Sequence, residues 1–281
     1  MKFNVSADLE YIISSPSTLI LNIQALRTPE QTVLAESFTV NPQVKVEELH
    51  SVGGENRLIR LDVRENCNLS IKYTATVNNS YQITDHRGAV EIPVTQMSAE
   101  ILPYLYPSRY CQSDKLYRLA DHTFGFLDSD FEKVMALTKW INNNVLYLSG
   151  STNAQTSAFD TVTEQAGVCR DFAHLGIALC RALTIPARYF TGYAYKLKPA
   201  DFHACFEAYL GGQWVLFDAT GLAPLNGMVK IATGRDAADA AVANIFGDAF
   251  FKTMNISCEF ADEDFKPYFY PRGKFEGLTY L

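Results

Sequence analysis

Cys169, His203 and Asp218 combine residue types and positions suited to nucleophilic chemistry. A thiol attacks a carbonyl effectively only as thiolate, and a helix N-terminus, with partial positive charge and unpaired N–H groups, favours that anion. Ala166-Gly167-Val168-Cys169-Arg170-Asp171 precedes apolar residues at helical spacing, Phe172, Leu175, Leu179 and Leu183, which puts Cys169 in a helix's first turn. Gly167 permits a sharp turn into that helix, and the Cys169 N–H is left able to donate to a developing oxyanion. The thiol also needs a base within reach and a third group that fixes the base's tautomer. His203 opens an alternating segment that runs through Tyr209, and Asp218 closes the next one, with Gly211-Gly212 between them as a tight turn. In such a hairpin the start of one strand lies opposite the end of the other, which makes imidazole and carboxylate neighbours.

Each residue alone has a plainer role. A buried cysteine is usually an inert small hydrophobe, the role expected of Cys180. His203 suits a satisfied strand histidine, and Asp218 a turn residue before Ala219-Thr220-Gly221. Their joint placement is what points to chemistry. Cys205 with His203, or Cys169 with His174, would make pairs of soft metal ligands, but no CxxC or second pair completes a set of four. Neither a metal nor a cofactor is implied.

The elements that must position these residues are legible in the spacing of apolar side chains. Ser129 and Glu132 form a capping box ahead of Val134, Leu137, Ile141 and Val145, which predicts a helix of about four turns. The cysteine-bearing helix ends before Pro186. Strands are predicted over 188–197, 202–210 and 213–217, with a further strand at 251–260. The first hundred residues alternate with period two, as in Ile59 to Val63 and Leu69 to Val77. They are punctuated by Ser15-Pro16, Asn41-Pro42, Gly53-Gly54 and Asn78-Asn79. An antiparallel sandwich or barrel without a catalytic grouping follows. The expected division is a β-rich support domain over 1–105 and a catalytic domain over 106–281. The latter comprises a Tyr- and Pro-rich connector at 106–127, a core over about 128–235, and a C-terminal strand and tail at 236–281.

Bulk properties exclude several classes. The chain is 48% hydrophobic and 20% charged, which provides for a real core and excludes wholesale disorder. Lys and Arg total 24 against 31 for Asp and Glu, with no basic block, so neither nucleic acid nor an anionic membrane is an expected partner. Asp8 and Glu10 interrupt the apolar stretch that a signal peptide needs, and the six cysteines are scattered, which argues against a disulfide framework. A cytoplasmic location is expected, and no oligomeric state is specified.

Gly167-Val168-Cys169-Arg170-Asp171-Phe172-Ala173-His174, the segment from Ile185 to Tyr193, His203-Ala204, and the run from Gly212 to Thr220 resemble the transglutaminase-like superfamily in its bacterial cysteine-protease-like branch. The resemblance covers roughly residues 115 to 235. It implies an α+β fold in which a papain-like core, a cysteine-bearing helix packed on an antiparallel sheet, follows an all-β N-terminal domain. It also implies that Cys169 is nucleophile, His203 base and Asp218 orienting group. The implied function is acyl transfer from amide bonds of a peptide or protein through a thioester: a peptidase or amidase if water resolves it, a transglutaminase if an amine does. A non-catalytic scaffold of the same fold is the alternative of another class, and the intact triad speaks against it. Cys205 stands where the family often has Trp, and Ala219 where it often has Pro. Arg188 is expected to make an ion pair at a strand start and Tyr193 to be core. Trp140 could line the active site by analogy, although an amphipathic helix more often buries it.

Overall fold

The computed structural model describes residues 1–51, 56–271 and 273–280. Seven strands come first: β1 (Lys2–Ile13), β2 (Ser17–Leu21), β3 (Gln31–Asn41), β4 (Lys45–His50), β5 (Arg57–Val63), β6 (Cys67–Asn79) and β7 (Tyr81–Asp85). Next come α1 (Ser113–Phe124), α2 (Asp130–Asn144), the two-residue strand β8 (Leu146–Tyr147), α3 (Ala158–Glu164), β9 (Ala166–Gly167) and α4 (Cys169–Ala182). The rest is β10 (Ala187–Ala194), β11 (Phe202–Leu210), β12 (Gln213–Phe217), β13 (Met228–Gly234), α5 (Ala237–Ala240), β14 (Ala243–Phe246), β15 (Ala249–Phe260) and β16 (Glu276–Tyr280). The fold is α+β, as the sequence implies.

Period-two alternation does its expected work in the N-terminal strands. Phe3, Val5, Ala7 and Leu9 of β1 are buried, and Ile71, Tyr73 and Val77 of its partner β6 meet them from the same side of the pleat. Two antiparallel sheets result, ordered β15-β1-β6-β3 and β14-β2-β5-β4. The Gly53-Gly54 turn lies outside the described residues.

The core sheet is also antiparallel, ordered β12-β11-β10-β13, and α4 packs on it. Gly176 makes the close approach possible: a Cβ there would lie 2.5 Å from the Phe206 ring. Gly211 and Gly212 both adopt positive φ, 57° and 86°, the conformation a tight two-residue hairpin requires. The expected capping box forms at α2, where Glu132 N–H donates to Ser129 Oγ and Ser129 N–H to the Glu132 carboxylate.

Three expectations are corrected. The supposed connector contains α1, whose Leu116, Ala120 and Phe124 are buried at helical spacing. The Tyr- and Pro-rich stretch before it obscured that period. β13 was not foreseen, and it forms one edge of the core sheet. The C-terminal strands do not join the core sheet, because β14 pairs with β2, β15 with β1 and β16 with β7. Alternation says that a segment is a strand but not which distant strand it will join.

The two halves are stitched by buried amides. Gln31 Nε2 donates to Lys230 O at 2.8 Å, and Gln31 Oε1 accepts the Lys230 N–H at 2.7 Å. Asn56 makes the same pair of bonds with Thr233, and Asn79 Nδ2 donates to Met228 O. Side chains of the N-terminal domain thus satisfy the outer edge of β13.

Candidate active site

Cys169 is the first residue of α4, half-buried, with Val168 ahead of it in an extended conformation. Asp171 anchors this end of the helix. Its Oδ2 accepts the Val168 N–H at 2.9 Å and its Oδ1 accepts from Thr152 Oγ1 at 3.1 Å, while the side chain is wholly buried. Gly167 serves that anchor rather than a special turn, since a Cβ there would lie 2.7 Å from Asp171 Cβ. The N–H groups of Cys169 and Arg170 have no intrahelical acceptor and lie at the thiol's end of the helix, whereas the Asp171 N–H donates to Val168 O at 2.9 Å.

His203 and Asp218 come together as the hairpin predicts. The Phe206–Phe217 pair is the last in register between β11 and β12, so Asp218 follows β12 beside Cys205, and its carboxylate reaches His203. His203 Nε2 and Asp218 Oδ2 are 2.9 Å apart, with both side chains almost completely buried. The other carboxylate oxygen accepts the Thr220 N–H at 2.8 Å and the Thr220 hydroxyl at 2.7 Å. Asp218 is therefore both the turn residue of the plainer reading and the hydrogen-bond partner of His203. With Nε2 committed to Asp218, His203 Nδ1 is buried and has no hydrogen-bond partner among the described residues.

The electrostatics follow from this packing. Burial opposes a charge on His203, but the Asp218 carboxylate outweighs it and holds the imidazole well above its ordinary 6.5, with a smaller contribution from Cys169. Burial likewise raises Asp218, and the imidazolium more than compensates, leaving it below 3.8. The pair thus exists as imidazolium and carboxylate. Cys205, on the same face of β11, has its thiol pushed up to about 12 by burial first and by Asp218 second. One ligand atom each from His203, Cys205 and Asp218 lie within 4.8 Å of one another, and no fourth His, Cys, Asp or Glu joins them among the described residues. Asp218 already spends both oxygens on Thr220 and His203, so this trio fits a hydrogen-bonded network better than a metal site.

Cys169 and His203 open into one cavity of about 510 Å³, walled by Arg170, Tyr189, Phe202 and the segment Ala240–Asn244. Several contributors escaped the sequence analysis. His174 is not a ligand: it is buried between the Tyr110 and Tyr189 rings, each 5.0 Å away, and its Nε2 accepts the Ala237 N–H at 3.1 Å. It thereby ties the cavity wall to α4. Tyr147 sits beside Cys169, its phenol pushed up to about 12 by burial and then by the neighbouring thiol. Only Thr220 carried a local signal, the turn pattern after Asp218. Among the bystanders, Trp140 packs edge-on against Phe124 at 6.2 Å and does not line the cavity. Cys180 is buried, Tyr193 is core with its hydroxyl on Ile23 O, and Arg188 pairs with Glu207.

A cysteine at a helix N-terminus facing a His–Asp pair on an antiparallel hairpin defines a cysteine-dependent class of papain-like architecture. Residues 1–100 match the family profile described as bacterial transglutaminase, N-terminal domain, and residues 117–219 match that of the transglutaminase-like superfamily. A solved structure from Cytophaga hutchinsonii, provisionally assigned as a cysteine protease, is 57% identical with a TM-score of 0.98, over 100% of this chain and 98% of that one. An uncharacterised protein of Mycobacterium leprae is 30% identical over 116 residues, which are 38% of this chain and 42% of its own length. One from Mycobacterium tuberculosis is 31% identical over 123 residues, 38% of this chain and 39% of its own. The chain thus spans less than half the length of these mycobacterial relatives. It belongs to the transglutaminase-like superfamily, whose members are cysteine-dependent enzymes.

Proposed function

We propose that this protein hydrolyses amide bonds in polypeptides, with Cys169 as nucleophile, His203 as general acid and base, and Asp218 as the group that orients His203. The observation that carries this reading is the His203–Asp218 contact of 2.9 Å, which leaves Nδ1 unpartnered beside the cavity that also holds Cys169. Cys169 Sγ, its proton already carried on Nδ1 of the His203 imidazolium, attacks the carbonyl carbon, while helix N-terminal N–H groups stabilise the oxyanion. As the C–N bond breaks, the imidazolium returns that proton to the leaving amine. Water then attacks the thioester, its proton passes to His203, and the C–S bond breaks to release the acid and restore the imidazolium. Resolution by an amine in place of water would make the same site an acyltransferase.

The test is to incubate the protein with unfolded casein, with and without dansylcadaverine. Hydrolysis yields new termini that are absent with Cys169→Ala. Dansyl incorporation without new termini would establish the acyltransferase instead. An electrophilic peptide probe that fails to modify Cys169, together with no turnover of either kind, removes the reading.

A further inference from the structure

The cavity over Cys169 continues directly into an exposed strand edge. Ala243 and Asn244 line that cavity and are also the first two residues of β14. β14 is the outermost strand of its sheet: Ala243, Asn244, Ile245 and Phe246 pair with Leu21 back to Thr18 on one side. Among the described residues the other side is unpaired. A free edge presents a row of backbone donors and acceptors to any extended chain, and proteins ordinarily guard such edges with charges, proline or a covering element.

β13 and the other outer strands of the two N-terminal sheets keep to that practice. The outer edge of β13 is satisfied by Gln31, Asn56 and Asn79. The outer strand β4 carries Lys45, Glu47 and Glu48, β3 carries Glu36, and β15 carries Lys252 and Glu259. β14 carries no charge and no proline. Its Phe246 is 61% exposed, and Phe250 and Phe251 just beyond the turn are each 58% exposed. Phe250 stands opposite the exposed Ile12 in register, so the apolar strip crosses from β15 onto β1. Uncovered apolar side chains beside an unguarded edge mark an interaction surface.

We infer that β14 is the docking edge for the substrate: an extended polypeptide segment with apolar side chains adds as a strand along Ala243–Phe246, which delivers its next residues to the cavity over Cys169. The inference rests on the proposed amide-bond chemistry and specifies which substrates that site takes. Main-chain pairing supplies sequence-tolerant affinity, and Phe246, Phe250 and Ile12 select for apolar side chains. At about 3.3 Å per residue the four residues of β14 engage roughly four substrate residues ahead of the cavity. A second copy of this chain could close the same edge, but it would leave the shared cavity wall without a role.

The experiment separates docking from catalysis by using Cys169→Ala as background. Binding of fluorescein-labelled unfolded casein is followed by anisotropy for Cys169→Ala alone and with Phe246→Ser plus Phe250→Ser, with melting temperatures compared to establish that both proteins fold. The double change is expected to weaken binding by about tenfold or more, the scale of losing an aromatic anchor. The same change in the otherwise native protein should raise KM for casein. Equal binding with and without the double change, or no casein binding by Cys169→Ala, overturns the inference. So does sedimentation of the native protein as a dimer that Phe246→Ser plus Phe250→Ser dissociates, because the occupant is then a second copy. Weakened binding in a protein that turns over no casein leaves the docking edge standing and removes only the proposed chemistry.

Discussion

Asp218 divides its carboxylate between two tasks, one oxygen on His203 and the other on the Thr220 turn. Its replacement by Asn keeps an acceptor for Thr220 but can leave the imidazole in the wrong tautomer. Turnover by Asp218→Asn is expected to fall by about 10⁴-fold with the fold retained, by analogy with the triad aspartate of a serine protease. Near-normal turnover would mean that another group orients His203. The same pair sets a pH dependence of stability. His203 is raised above 6.5, so its contribution is complete below that pH and is lost as pH rises through the folded-state value. Asp218 is lowered, so its contribution is complete above 3.8 and is lost as pH falls through the folded-state value. The melting-temperature gap between native protein and Asp218→Asn should be widest between these two values and should narrow in alkali. A gap that widened in alkali would contradict the ion pair. Thiol accessibility gives another prediction. Cys111, Cys180 and Cys205 are buried, and burial pushes up the thiols of the half-buried Cys67 and Cys258. Iodoacetamide should therefore label Cys169 well ahead of the other five, as peptide mapping by mass spectrometry can establish.

At the scale of elements, the site depends on how closely α4 lies against β11. Gly176→Ala would put a methyl group 2.5 Å from the Phe206 ring, and the ring is held in turn by Phe217 at 5.6 Å, so relief must come from moving the helix. We expect a loss of about 1–3 kcal/mol in unfolding free energy, the usual cost of overpacking. Turnover should drop in the protein that remains folded, because Cys169 rides on the displaced helix. Chemical denaturation and kcat at a temperature where the variant is folded are the measurements, and unchanged values for both would show that the ring yields freely. The helices and the hairpin were legible because their apolar spacing and turn residues are local. α1 was not, although Ser113, Leu116, Ala120 and Phe124 keep a helical period, because the preceding Tyr- and Pro-rich stretch has none.

Over the whole molecule, the N-terminal β domain is more than a neighbour of the core. Its last segment carries His86, which stacks on Phe131 of α2 at 4.8 Å and donates its backbone N–H to Phe275 O. Substituting Gln at the exposed His50 should leave both stability and turnover unchanged. His86→Gln should lower unfolding free energy by about 1–3 kcal/mol through lost packing, with turnover of the folded protein intact. Loss of turnover at an unchanged melting temperature would instead bring His86 into the mechanism. The sequence by itself determined the Cys169 helix, the His203–Asp218 hairpin and the alternating N-terminal strands, since each is written in residues close together along the chain. Tertiary structure alone decided which strands the C-terminal segment joins, that Gln31, Asn56 and Asn79 seal β13, and that Ala240–Asn244 walls the cavity. Strand pairing and cavity lining depend on contacts between residues as far apart as 257 positions, as Phe3 and Phe260 are, and local periodicity holds no record of such partners.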